Sequence, residues 1–448
     1  MKLYDTQSRA LKDVDVHKEQ IAMYCCGPTV YRDAHVGNLR TFLLSDLIAR
    51  VVRLNGSTPV LIQNITDVGH MSEDFINDDK MLSQAKLEKT DPFEIARKYE
   101  ERFHTDLASL NIQDAAAYPR ASESIDMMLA LIAKLIEADF AYVGADSSVY
   151  FSAQKFAGYG AISGNKLDSL KPGHRYEYTE DGAKRFHADW ALWKSAGDRT
   201  EMVWDSPWGK GFPGWHIECS AMSLELLNGS VDIHVGGIDL RFPHHENERA
   251  QSNALINKEA VDLWVHGEHL LFEGKKMSKS SGNVVLLSDV IARGIDPLAI
   301  RLCFLENKYR SQMDLTWSSI EAAHETLKRW RMKMAQWSTD NAISKDAEIE
   351  HAFNTDLDTP RVVIRLREIE KDSSDNKAAV FRYADQVLGL DLERPMEQKV
   401  LTAQMQSLLD QRLTARTEKR WADSDRLRID LESLGLEIKD TPEGQVWS

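Results

Sequence analysis

A chain of 448 residues exceeds what one compact core usually organises, so about two to four domains are expected. Hydrophobic content of 43% allows substantial cores, and no run of roughly eighteen apolar residues is present, which excludes a membrane-spanning helix of ordinary length. A formal net charge of −15 argues against nucleic-acid binding through overall charge, while leaving room for a local basic surface.

The opening residues, Met1-Lys2-Leu3-Tyr4-Asp5-Thr6, lack a charged leader followed by an apolar stretch, so no signal peptide and a cytoplasmic location are expected. Ile21 to Cys25 forms a short apolar run closed by Gly27-Pro28. From Leu39 to Leu54 the apolar positions 39, 43, 47, 48, 51 and 52 have helical spacing, with Asn55-Gly56 as the stop. Pro59 to Gln63 reads as the next strand. Strand, helix, strand predicts a parallel sheet with a right-handed crossover, the start of a doubly wound α/β domain. Residues 119–213 read as a mixed insertion into that sheet. Val231 to His234 and Leu263 to His266 read as further buried strands. From 319 onward the pattern is helical and charge-rich, with a junction at Asn354 to Pro360. The linker predicted at Asp391 to Pro395 precedes a small module.

Four cysteines, Cys25, Cys26, Cys219 and Cys303, are too few and too irregular for a disulfide scaffold, and reduced thiols open to metal binding are expected. After the first strand comes Cys26-Gly27-Pro28-Thr29-Val30-Tyr31-Arg32-Asp33-Ala34-His35-Val36-Gly37-Asn38. Gly37 lets a ligand approach a helix start, whose N–H groups and positive potential suit phosphate, and His35 adds a donor. Taken alone, His-x-Gly at a helix start also fits a simple cap. Lys276-Met277-Ser278-Lys279-Ser280-Ser281-Gly282-Asn283 offers two lysines among hydroxyls, a cationic loop suited to a leaving pyrophosphate. Most Lys/Ser-rich turns are merely solvated. His244 and Glu248, four apart, share one side of a helix and could share a metal. With Cys219 and Cys26 the set S, S, N, O suits tetrahedral zinc. Alone, each member also fits a buried core thiol or a satisfied pair, and strand alternation leaves Cys25 a rival to Cys26. Near the end, Arg412, Arg416, Lys419, Arg420, Trp421, Asp425, Arg426 and Arg428 combine positive charge with an aromatic ring, as single-stranded RNA binding needs. A helical hairpin with Trp421 in its core is the alternative. Lys328-Arg329-Trp330-Arg331-Met332-Lys333 fits a solvated helix face.

In order and character the His-x-Gly turn and the Lys-Met-Ser-Lys-Ser loop resemble the paired signatures of class I aminoacyl-tRNA synthetases, with Asn38 where the first signature usually ends in His. Trp204 to Glu248 resembles cysteinyl-tRNA synthetases, except that Phe212 stands where the family commonly has Arg. The resemblance implies a Rossmann-like catalytic domain with an insertion, then an α-helical bundle and a small C-terminal module. The expected divisions are 1–118 and 214–265 (catalytic halves), 119–213 (connective insertion), 266–318 (lysine-loop and stem-contact region), 319–392 (helical bundle) and 393–448 (anticodon-binding module). It implies zinc on Cys26, Cys219, His244 and Glu248, and Trp215 beside the substrate side chain. ATP with Mg²⁺ is expected at Thr29, His35, Gly37, Asn38, Gly236, Gly237, Asp239 and Lys279. His35, Lys276 and Lys279 would act in catalysis, and Arg416, Trp421, Asp425 and Asp440 would read the anticodon. The implied reaction joins L-cysteine to tRNA(Cys) using ATP, in a monomer. Two rivals are a ligase joining activated cysteine to an aminosugar and a non-catalytic RNA-binding paralogue. Glu248 and the C-terminal module argue against the first, and the intact lysine loop and ligand set against the second.

Overall fold

The computed structural model describes residues 1–69, 79–170, 183–256, 258–277, 283–337, 340–373, 375–395, 401–436, 438–441 and 444–447. It divides into two units, Met1–Leu392 and Glu393–Ser448.

The larger unit is organised by four parallel strands. They are β1 (Gln20–Cys25), β2 (Thr58–Gln63), β3 (Val231–Gly237) and β4 (Val261–Gly267), in spatial order β4-β3-β1-β2. Helix α1 (Val36–Leu54) connects β1 to β2 and ends at Asn55, followed by Gly56 at φ +95°. The predicted strands and helix are therefore all present, each extended by one to three residues at its ends. The order reverses at β1: one connection runs to β2 on one side, and the chain later returns as β3 on the other. Such switch points open a crevice at the carboxyl ends of the strands.

Met23, Cys25, Ile233 and Val235 pack with α1 in one apolar core, whereas Tyr24, Cys26 and Trp264 belong to a second. The second core is completed by α2 (Trp215–Leu226) and α3 (His244–Ile256). Their buried polar residues give these helices no clean apolar stripe; α3 buries every residue from His244 to Asn253. Between β2 and α2 the chain forms the helix Ile125–Glu137 and an antiparallel four-stranded sheet, 141–143, 149–151, 190–195 and 211–213 in sequential order. Arg199 lies over the Phe212 ring, 4.2 Å from its centroid, and pairs with Asp79 at 2.8 Å. A guanidinium thus stands beside position 212 although the residue there is aromatic.

After β4, the strands Leu270–Phe272, Lys275–Lys276 and Met313–Leu315 form a small sheet. Helices Trp317–Trp337, Ala347–Asn354, Thr359–Lys371 and Lys377–Leu388 follow. The basic run at 328–333 is largely used internally: Trp330 is buried, Arg331 pairs with Asp296, and Arg329 and Lys333 pair with Glu370.

The smaller unit contains helices Ala403–Thr417 and Trp421–Ser433 and an antiparallel hairpin, Ile438–Thr441 with Gly444–Trp447. Leu409, Leu431, Leu436 and Ile438 form its core. Trp421 is 56% exposed, so it is not a core residue of this module.

Candidate metal centre and active site

Cys26 leaves the end of β1, Cys219 lies in α2, and His244 and Glu248 lie one turn apart in α3. Their ligand atoms all fall within 4.8 Å of one another, and all four side chains are buried. Cys26 Sγ is 3.7 Å from Cys219 Sγ and 3.5 Å from Glu248 Oε1, and His244 Nε2 is 3.0 Å from Glu248 Oε1. Zinc bonds of about 2.0–2.3 Å imply tetrahedral donor separations of roughly 3.3–3.8 Å. The two thiol distances meet that range, and the His–Glu pair is slightly closer, as for a hydrogen bond. Cys25 is turned into the α1 core, where burial pushes its thiol up to about 12.

The charges also fit a cation. Burial opposes the charged form of His244, but Glu248 and Cys219 more than reverse this and raise it to about 10. Burial likewise opposes ionisation of Cys219, yet hydrogen bonds from Cys26 and His244 hold it low, while burial and Cys219 push Cys26 up. Glu248 is held low against burial by His234 and His244. The pocket therefore sets the Glu248 carboxylate and the more readily ionised Cys219 thiol against a proton on His244, which a metal would displace. Behind His244, the Nδ1 atom of His216 lies 2.9 Å from its Nδ1, the kind of support that orients a metal-binding imidazole.

A second set of donors, not foreseen from the sequence, surrounds the same thiol. His234 and His245 each place Nε2 3.4 Å from Cys26 Sγ, and with Glu248 they also form a group able to hold a metal. Burial, foremost, lowers His234 to about 4 and His245 well below its ordinary value. Gly236 is needed for this packing: a Cβ there would lie 2.4 Å from the His245 ring. His245 could have been noticed only through its adjacency to His244.

A cavity of about 280 Å³ opens beside the cluster, at the switch point. Its lining includes Thr29, Asn38, Trp215, Cys219, Gly237 and Asp239, together with Cys26 and His244. Trp215 packs against His244 with ring centroids 4.4 Å apart. His35, Gly37, Gly236 and Lys276 are not lining residues. His35 is the N-cap of α1: its Nδ1 accepts from the Asn38 N–H at 3.2 Å, and Asn38 Oδ1 accepts from the His35 N–H at 3.2 Å. This reciprocal cap gives Asn38 a definite task. Burial and nearby Arg32 hold His35 below its ordinary value, leaving it a neutral imidazole with Nε2 unused by the cap. Lys276 is exposed on its short strand, and Lys279 lies outside the described residues.

In the smaller unit, Asp440 accepts from Arg412 (2.9 and 3.0 Å), Arg416 (2.9 Å) and Arg428 (2.9 Å). One carboxylate thus gathers three guanidiniums. Arg416 also lies 5.7 Å from the centroid of the Trp421 ring, and Asp425 is exposed.

Residues 12–325 match the family model for tRNA synthetases class I (C) catalytic domain, and residues 399–447 match that for the cysteinyl-tRNA ligase anticodon binding domain. The chain is 40% identical to cysteine–tRNA ligase 1 of Burkholderia lata, over 99% of this chain and 96% of that one. It is 38% identical to a cysteine–tRNA ligase of Thermus thermophilus, over 99% and 98%. Methionyl-tRNA synthetase of Mycobacterium tuberculosis shares the fold, with a TM-score of 0.56 at 15% identity, covering 83% of this chain and 89% of that one. With both family models and full-length relatives in agreement, the chain belongs to the cysteinyl-tRNA synthetase family.

Proposed function

We propose that the chain activates L-cysteine with ATP and transfers it to tRNA(Cys). The observation that carries this reading is the buried S, S, N, O cluster opening onto the switch-point cavity. In the first step a cysteine carboxylate oxygen attacks the α-phosphorus of ATP, giving cysteinyl-adenylate and pyrophosphate. In the second, a hydroxyl of the terminal adenosine attacks the acyl carbon, and AMP leaves. Cys26, Cys219, His244 and Glu248 would hold zinc, which supplies a soft Lewis acid that binds a thiolate in preference to a hydroxyl. Trp215 closes the side-chain end of the cavity against His244. Thr29, Asn38, Gly237 and Asp239 face the nucleotide, and Gly37 and Gly236 border that site by leaving room for Met277 and His245, which a Cβ would strike. Neutral His35 donates from Nε2 to phosphate, and Lys276 and Lys279, with Mg²⁺, offset charge on the departing pyrophosphate. No side chain is assigned as general base; orientation and electrostatics carry the step.

We assign tRNA reading to Arg416, Trp421, Asp425 and Asp440. The match over residues 399–447 favours tRNA over an aminosugar acceptor. The division into catalytic halves (1–118 and 214–265), connective insertion (119–213), stem-contact region (266–318), helical bundle (319–392) and anticodon module (393–448) is part of the same reading, as are a monomeric state and a cytoplasmic location. No helix among the described residues is long and apolar enough to cross a membrane. Pyrophosphate exchange tests the proposal: cysteine should support it and serine should not, and equal rates would remove the basis for metal-based selection.

A further inference from the structure

Arg40 is a charged residue on the buried side of α1, 6% exposed. Its Nη1 donates to the carbonyl oxygens of Glu268 (2.9 Å) and His269 (3.2 Å), and its Nη2 to those of Lys308 (3.1 Å) and Ser311 (3.0 Å). Among the described residues no carboxylate forms an ion pair with it. Burial, the largest influence, lowers it to about 10. The charge of Glu268 offsets part of that shift, but a buried guanidinium held by four carbonyls without a direct ion pair remains costly.

The four carbonyls belong to two separate segments, and each leads into a strand of the small sheet. Residues 268–269 precede Leu270–Phe272, and 308–311 precede Met313–Leu315. These two strands pair in parallel, and Leu271 pairs with Lys276 on the sheet's other side. Arg40 thus fixes the entry of both strands that support the strand carrying Lys276. Four residues upstream, the first turn of α1 meets the far side of the same region. Val36 N–H donates to the Val285 carbonyl at 3.0 Å, and a Cβ on Gly37 would lie 2.8 Å from Met277 Cε.

We infer that Arg40 is a positioning residue for adenylate formation, holding the Lys276-bearing sheet in register with the α1 turn that presents His35 and Asn38. The inference rests on the adenylate-forming reading above. A planar guanidinium spans two pairs of carbonyls at once, and a lysine ammonium cannot. A small cavity of about 20 Å³ lined by Arg40, Leu43, Leu44, Asn307 and Tyr309 borders the side chain, and truncating Arg40 to alanine would enlarge it by the volume of the lost guanidinium.

The test uses the full zinc-loaded chain with Arg40→Ala and Arg40→Lys. In both, kcat for cysteine-dependent pyrophosphate exchange should fall by about tenfold or more, because small misplacements of reacting groups carry large rate costs. KM for cysteine should stay within about twofold, since uniform binding is not what is lost. Zinc content should match wild type. Millimolar guanidinium should restore part of the lost rate in Arg40→Ala and none in Arg40→Lys. A wild-type rate in Arg40→Ala, or a loss that follows zinc content or that guanidinium fails to relieve, would overturn the inference alone. A wild-type chain without cysteine-dependent exchange would overturn the functional reading and this inference with it.

Discussion

Cys25 shares the α1 core with Met23 and Val235, and Cys26, one residue on, reaches the opposite side beside Cys219. Strand alternation forces that divergence but does not say which cysteine meets the metal; the partners do. Cys26→Ser should therefore lose stoichiometric zinc, measured by metal analysis of the purified chain. Cys25→Ser should keep zinc and lose about 1–3 kcal/mol of stability from a buried hydroxyl. Loss of zinc from the Cys25 variant alone would reverse the assignment. The single-residue signals were unequally legible. His244 and Glu248 announce themselves by helical spacing, whereas Cys219 lies 193 residues from Cys26 and joined the set through its donor chemistry, supported by the resemblance, not through periodicity. Arg40 gave no signal because a basic residue in a helical pattern ordinarily faces water, and only the folded chain brings four carbonyls to it.

At the level of elements, apolar runs and helical spacing located all four central strands and α1, since burial on both faces writes parallel strands as continuous hydrophobic stretches. Helices α2 and α3 were harder to see, because their buried faces carry the histidines, carboxylates and thiol of the site and so lack an apolar period. Elsewhere, polar contacts join helices. Glu370, on Thr359–Lys371, accepts from Arg329 and from the Trp330 indole of Trp317–Trp337, with Lys333 2.8 Å away. Burial opposes its charged form, but these donors prevail and hold it at about 2. The folded chain therefore binds this proton less readily than the unfolded chain. The stabilisation, on the order of 2 kcal/mol, is complete above the ordinary glutamate value and is lost as pH falls from there towards 2. Denaturant titrations should show Glu370→Gln flattening that part of the pH dependence. An unchanged slope would mean that the three donors do not tune Glu370.

For the molecule as a whole, the two units have separate cores, and the proposed chemistry divides between them. A chain ending at Leu392 should retain cysteine-dependent pyrophosphate exchange and lose most aminoacylation of tRNA. Retention of both activities would remove the smaller unit from RNA recognition. Its basic residues were visible in sequence, and Trp421's exposure sets aside the alternative of a buried core tryptophan. The gathering of three arginines on Asp440 was not visible, because it needs the hairpin to fold back on both helices.

A metal held where Cys26, Cys219, His244 and Glu248 converge would also work as a fastener. It would join the end of a central strand to two helices, closing a loop of 193 residues between its sulfur ligands, and so restrict the unfolded chain much as a covalent cross-link does. Scarcity of zinc would then be felt first as fragility: a cell deprived of it would lose the enzyme to unfolding and turnover, beyond any loss of discrimination between thiol and hydroxyl.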